Sequence, residues 1–244
     1  MPFLPTVRGL YPFKFAYNMV QVMLCSYMCI EAGVRAWSAG YTLIPCNAFD
    51  HANPPIAFIL YVFYLSKILD FLDTVFIILE KRWKQLSFLH VYHHTSIFLV
   101  RSQYNNCAWL YMLFSNVRSF LFFLQFYWLN INVGYDGDVY LTIVLNGVIH
   151  TVMYTYYFVS LHTKEIWWKS ALTMSQMVQF VLMNAQAGYL LYYGCSSYPN
   201  RIIIAYLYYI MTLLALFAHF FVLSYVWKKP SDKKKGAKAA VKDE

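Results

Sequence analysis

Charge is what this 244-residue sequence has least of: Asp, Glu, Lys and Arg together make up 12% of it, against 60% hydrophobic residues. An ordinary soluble domain carries about twice that charged fraction, so one is excluded and a polytopic membrane protein is implied. No polar stretch is long enough to form a separate soluble module. A secretory leader with a cleavage site is not evident either, and residues 1–14, with Arg8 and Lys14, read as a short exposed arm. Helices broken by Gly or Pro and inverted repeats are missing as well, which counts against a transporter.

What is present is a series of apolar stretches at 17–37, 56–79, 107–130, 138–160, 171–193 and 202–227, each long enough to cross a bilayer, and a shorter one at 86–100. They predict an all-α fold of six to seven transmembrane helices. Residues 1–227 form one membrane domain. The loops divide by charge. EKRWKQ (80–85), LHTKEIWWKS (161–170) and the tail 228–244 are basic, whereas 38–55 has no Lys or Arg and 130–138 is acidic. Six crossings with both termini cytosolic satisfy the excess of Lys and Arg expected of cytosolic loops, and seven do not. Residues 86–100 and 107–130 are therefore expected to make one net crossing, since a 15-residue helix is about 22 Å long against a hydrocarbon core of about 30 Å.

The net charge of +8 does not point to nucleic acid, because about half of it lies in the tail, where seven Lys face Asp232, Asp243 and Glu244. This segment is expected to be disordered and to be drawn to anionic lipid, by about 1 kcal/mol per basic residue near the surface.

Ionisable groups inside apolar stretches mark function by default, because the bilayer penalises them unless they have partners or a task. His90, His93 and His94, in HVYHH, share one helical face and are the candidate reaction centre. KILDFLDT places Lys67, Asp70, Asp73 and Thr74 on one face, either as a self-neutralising structural pair or as groups that orient a histidine or meet substrate. In NGVIHTVMYTYY, Asn146, His150, Tyr154, Tyr156 and Tyr157 follow at helical spacing. There Asn146 could fix an imidazole tautomer and the tyrosines could donate to an oxyanion. Thr173, Gln176 and Gln179 recur every three residues, as interhelical glue or as substrate contacts. The helix rise brings His93, His150 and Gln176 to one depth, in the cytosolic half. His51, His162 and His219 read as structural, and Cys25, Cys29 and Cys107 as inert. Cys46 and Cys195 fall in two loops on the lumenal side, where a disulfide persists, and are expected to pair.

These boxes resemble those of the very-long-chain fatty acid elongases, the membrane 3-ketoacyl-CoA synthases. Their K-x-x-E-x-x-D-T is matched by Lys67, Asp73 and Thr74, with Asp70 where Glu is usual. H-x-x-H-H is matched by His90, His93 and His94, N-x-x-x-H-x-x-M-Y-x-Y-Y by Asn146 to Tyr157, and T-x-x-Q-x-x-Q by Thr173 to Gln179. Gln85, five residues before His90, resembles the branch acting on polyunsaturated chains, and the wider wording is similar to algal and diatom members. The resemblance implies helices packed around an apolar tunnel, and condensation of acyl-CoA with malonyl-CoA, with loss of CO2 and CoA. It implies His93 as the residue that takes the acyl chain, assisted by His90, His94 and the facing His150. Lys67, Asp70, Asp73, Asn146, Tyr154, Tyr157, Gln176 and Gln179 are implied around the substrate. No metal and no bound cofactor are implied. It further implies the endoplasmic reticulum membrane, and association with ketoacyl-CoA reductase, dehydratase and enoyl reductase, with a homodimer as a further option. The chain departs from the pattern in two places: it begins just before what resembles the family's second span, and its histidine boxes stand farther apart than usual. The surplus maps onto residues 100–125, read as an atypical in-frame insertion such as a retained intron. Without it, 86–99 and 126–133 join into a 22-residue helix that spans. The rival class is the membrane di-iron desaturases and hydroxylases. They need about eight histidine ligands, and this chain has seven histidines, three of them in its single H-x-x-H-H box.

Overall fold

A computed structural model describes residues 9–48, 50, 53–95, 137–195 and 199–227 of the chain. The described residues form helices α1 (Tyr11–Ser38), α2 (Ala57–Asp70), α3 (Leu72–Leu79), α4 (Phe88–Thr95), α5 (Val139–Ser160), α6 (Lys169–Tyr193) and α7 (Asn200–Phe221). A 3₁₀ turn at Trp83–Gln85 precedes α4, and a π turn at Val222–Val226 follows α7. The stretch 100–125 expected to be an insertion, the segments 96–99 and 126–133 that it is expected to separate, and the basic tail 228–244 lie outside the described residues.

Within an otherwise apolar core the bundle buries a set of polar residues, and it exposes apolar ones. Asn18, Gln21, Ser66, Asp70, Thr74, His150, Thr173, Gln179 and Gln186 are buried, while Phe13, Ile30 and Tyr208 are 65%, 65% and 67% exposed. Water would favour the reverse arrangement, and lipid favours this one. Among the described residues, Val139–Ser160 and Asn200–Val226 are long and apolar enough to cross a bilayer, with mean hydropathies of 1.2 and 2.0. α1 and α6 are of comparable length, at 28 and 25 residues. Their hydropathy is lowered by the amides they turn inward, Asn18 and Gln21 in one and Gln179 and Gln186 in the other.

α1 and α5 pack along their length, and α6 lies against α7. The first pairing follows from periodicity. Gln21, Cys25, Met28, Ala32 and Ala36 on α1 are buried, as are Tyr140, Ile143, Gly147, His150 and Tyr154 on α5, at the three- and four-residue spacing of one helix face. The two backbones meet at Gly147, where an added Cβ would lie 3.0 Å from Cys29 Cβ and 3.1 Å from the Cys25 carbonyl oxygen. Gly147→Ala is accordingly expected to cost about 1–3 kcal/mol through overpacking, read as a lowered unfolding temperature in detergent. Gly33→Ala, with nothing within 4 Å of the new methyl group, should leave that temperature unchanged or raised.

Two boundaries differ from the sequence expectation. The arm 1–14 is not wholly exposed chain, because α1 begins at Tyr11 with a proline in its first turn, and Lys14 is drawn to Glu80 at 3.1 Å. The single span 56–79 is two helices divided at Phe71, where the ladder tightens as the Thr74 N–H donates to the Phe71 carbonyl at 3.1 Å. Glu80 also pairs with Arg82 at 2.8 Å, which makes this the basic end of the bundle. At the opposite end Cys46 and Cys195 are joined by a disulfide, their Cα atoms 5.4 Å apart. There Asp138 accepts from the Cys46 N–H at 2.9 Å and from Asn47 Nδ2 at 2.6 Å.

Candidate active site

The polar residues of four helices converge about midway along α5. Lys67, on α2, donates to Asp70 Oδ2 at 3.0 Å and to Asn146 Oδ1 at 3.0 Å, and its ammonium lies 4.5 Å from the centre of the Phe63 ring. The other oxygen of Asp70 faces away from Lys67. Oδ1 accepts from Gln21 Nε2 at 2.9 Å and lies 3.1 Å from the Tyr154 hydroxyl. The same hydroxyl lies 3.0 Å from Asp73 Oδ2, so its single proton can be donated to one of two carboxylates. Tyr17, on α1, completes the cluster: its hydroxyl donates to the Leu69 carbonyl at 3.1 Å and accepts from Gln21 Nε2 at 3.0 Å. Burying this many polar groups in a bilayer-facing bundle is tolerable because most of them satisfy one another, Gln21 Oε1 being an exception.

The histidines stand beside this cluster. His150 projects from α5 between Asn146 and Tyr154 and is buried. Its Nδ1 lies 4.0 Å from Asp70 Oδ2, beyond hydrogen-bonding distance, and has no hydrogen-bond partner among the described residues. The ring of His93, on α4, stacks on that of His150 with centroids 6.4 Å apart and planes inclined at 28°. Phe217 of α7 closes the other flank of His93, edge-on at 6.1 Å. His90 Nε2 is 3.1 Å from Thr74 Oγ1, which ties α4 to α3. Tyr92, 2.6 Å from Thr212 Oγ1, ties α4 to α7. His94 belongs to α4, and its side chain lies outside the described residues.

Several predicted site residues take partners that spacing alone did not indicate. The Asn146 carbonyl oxygen accepts from Lys67 rather than from a histidine. Gln176 and Gln179, both on α6, bond sulfur rather than the cluster, Gln176 at 4.0 Å from Met153 Sδ and Gln179 at 3.5 Å from Met183 Sδ. Tyr157 meets Tyr154 edge-on at 5.8 Å. His162 is held by the Phe158 carbonyl at 3.0 Å and by Tyr11 at 3.1 Å, away from the cluster.

Gln21 and Tyr17 belong to the cluster but to none of the sequence motifs. A signal for them is nevertheless present, as Tyr17, Gln21 and Cys25 recur every four residues through an otherwise apolar stretch, the mark of a polar stripe turned inward. Among the described residues no three His, Cys, Asp or Glu side chains converge as a set of metal ligands. The site offers two nearly parallel imidazoles in an apolar surround, one of them beside a carboxylate held by an ammonium. This is the composition of a nucleophile with a partner that manages its proton.

The chain matches the family described as ELO, GNS1/SUR4, over residues 6–124 and 112–235. It is 34% identical over 224 residues to very long chain fatty acid elongase 2 of Mus musculus, covering 89% of this chain and 66% of that protein. It is 33% identical to the Rattus norvegicus elongase 2, covering 93% and 73%. With very long chain fatty acid elongase 4 of Homo sapiens it shares 31% identity, covering 91% of this chain and 64% of that protein. The chain thus spans about two thirds of the length of the curated relatives it matches. With its buried polar side chains gathered around paired histidines, it belongs to the ELO (GNS1/SUR4) family of very-long-chain fatty acid elongases.

Proposed function

We propose that the chain is a condensing enzyme of fatty acid elongation, a 3-ketoacyl-CoA synthase that joins malonyl-CoA to a long-chain acyl-CoA. The observation that carries this reading is the stacking of His93 on His150 at 6.4 Å, with the Phe217 ring closing the flank of His93. A nitrogen of His93 attacks the thioester carbonyl and the carbon–sulfur bond breaks. The imidazole proton leaves with the thiolate as CoA thiol. Malonyl-CoA then loses CO2, and the electron pair of the broken carbon–carbon bond attacks the acyl carbon. The acyl–nitrogen bond breaks and His93 takes up a proton. Apolar surroundings suit this sequence because water would hydrolyse the acyl-imidazole. The Lys67–Asp70–Asn146 group stiffens α2 against α5 beside the reacting rings, and Gln176 and Gln179 line the α6 side of the acyl tail.

The polyunsaturated preference rests on Gln85, in the 3₁₀ turn leading into α4. The reading also includes the endoplasmic reticulum membrane, no bound cofactor, and handover of the product to ketoacyl-CoA reductase, dehydratase and enoyl reductase. Expression in a host fed a panel of unsaturated acids tests it by gas chromatography. Products two carbons longer are expected from polyunsaturated C18 and C20 acids, and their absence for every acid supplied would contradict it. Stoichiometric iron in the purified protein would favour the di-iron desaturase alternative instead.

The same reading makes the stretch 100–125 dispensable for condensation. The family match divides into two pieces, 6–124 and 112–235, which overlap within this stretch. Its deletion is expected to preserve or raise product yield in the same feeding assay, whereas loss of product would make it a working part of the enzyme.

A further inference from the structure

The proposed condensation consumes one proton per turnover. Acylation is proton-neutral, because the imidazole proton leaves on the thiol, but His93 must be reprotonated as the acyl–nitrogen bond breaks. An imidazole anion is a poor leaving group, so proton delivery governs the second half-reaction.

We infer that Asp73, Tyr154 and Asp70 form a proton relay that feeds the histidine pair. This rests on the reading of the chain as a condensing enzyme. Three observations on the described residues support it. The Tyr154 hydroxyl sits between the carboxylates at 3.0 Å from Asp73 and 3.1 Å from Asp70, so one proton shift on each side moves charge from the first to the second. His150 Nδ1 is buried without a hydrogen-bond partner and lies 4.0 Å from Asp70, a gap one water or a shift of about 1 Å closes. Asp73 is only partly buried, whereas Asp70 is buried. Along α3 and α5, Asp73 and Tyr154 also lie about one helical turn nearer the basic end than Asp70 and His150. The chain of groups therefore leads from the carboxylate nearer the basic end to the reacting rings.

Charge supports the same assignment. Lys67 offers one positive charge to two carboxylates, so one shared proton balances the cluster, which the membrane interior favours. In the relay Asp73 gives its proton to the Tyr154 oxygen as Tyr154 gives its own to Asp70 Oδ1. A half-turn of the carboxyl group about Cβ–Cγ brings the proton to the Lys67 side, where it passes to His150 Nδ1. His150 releases its other ring proton towards the departing His93 nitrogen. Asp73 is then recharged from the aqueous side. The groups facing the relay are Lys67 from its own stretch, Lys14, Tyr17 and Gln21 from α1, Tyr157 from α5, and His90 and His93 from α4. Gln21 and Lys67 act as positioning residues that hold the resting Asp70 carboxylate, and each exchanges one of its oxygens for the other when it turns.

The test separates the two half-reactions in the purified full chain, using an 18-carbon polyunsaturated acyl-CoA with and without malonyl-CoA. Tyr154→Phe keeps the ring and removes the bridging proton. It should still release one equivalent of CoA and carry the acyl group when malonyl-CoA is withheld, yet form 3-ketoacyl-CoA about a hundredfold more slowly. Asp73→Asn should behave alike, which guards against a folding defect peculiar to the phenylalanine variant. If the wild type forms the acyl adduct and both variants condense at the wild-type rate, the relay is overturned and the condensing reading survives. Loss of acylation and condensation together in both folded variants would likewise overturn the relay. Absence of an adduct in the wild type would overturn the reading and the relay with it.

Discussion

Replacing His93 with alanine is expected to lower condensation at least about 10³-fold and to abolish acyl transfer to the protein, because no other described side chain in the cluster duplicates its place. His93 is held on three sides by α4, by the His150 ring at 6.4 Å and by the Phe217 edge at 6.1 Å. The alanine variant keeps the Lys67–Asp70–Tyr154 cluster, whose hydrogen bonds run among α1, α2, α3 and α5, and should fold. His162→Ala is the control, since that residue is held by the end of α5 and by Tyr11. Turnover within about twofold of the parent is expected there, in line with a surface substitution. Comparable losses in both variants would mean that stability, not chemistry, governs the assay.

The second large effect is expected at Lys67. Among the described residues its ammonium is the cation bonded to the buried Asp70, and it also holds Asn146 of the facing helix. Lys67→Met keeps the aliphatic volume over Phe63 and removes the charge. It should cost about 3–5 kcal/mol, the penalty for stranding one partner of a buried ion pair, and should sharply lower the unfolding temperature in detergent. Adding Asp70→Asn removes the stranded charge and should recover part of the loss. If the double variant is no more stable than the single one, the cost arises from packing and the electrostatic account of the cluster is wrong.

Helical spacing made a good part of this site legible. Lys67, Asp70, Asp73 and Thr74 fall three and four residues apart, which fixes them to one face, and this face meets Tyr154, Asn146 and His90. Asn146, His150 and Tyr154 likewise follow one another at the period of a helix, and Gly147 lies where α5 meets α1 most closely. The partner of each polar atom was not legible. Asn146 sits one turn from His150 in sequence yet gives its oxygen to Lys67 from another helix, because a cation outcompetes a neutral ring for a carbonyl. Gln21 stands in a motif-free stretch, and its importance appears only when α1 is laid against α2 and α5. The break at Phe71 was hidden too, since neither Gly nor Pro marks it in KILDFLDTVF.

The most direct measurement is peptide mass spectrometry of the purified full chain after brief incubation with a long-chain acyl-CoA alone. The account predicts an acyl adduct on the peptide containing His93, discharged on addition of malonyl-CoA with appearance of 3-ketoacyl-CoA. Product formed with no covalent adduct on any histidine, or with the adduct on a residue outside the two helices that carry His90–His94 and His150, would contradict it.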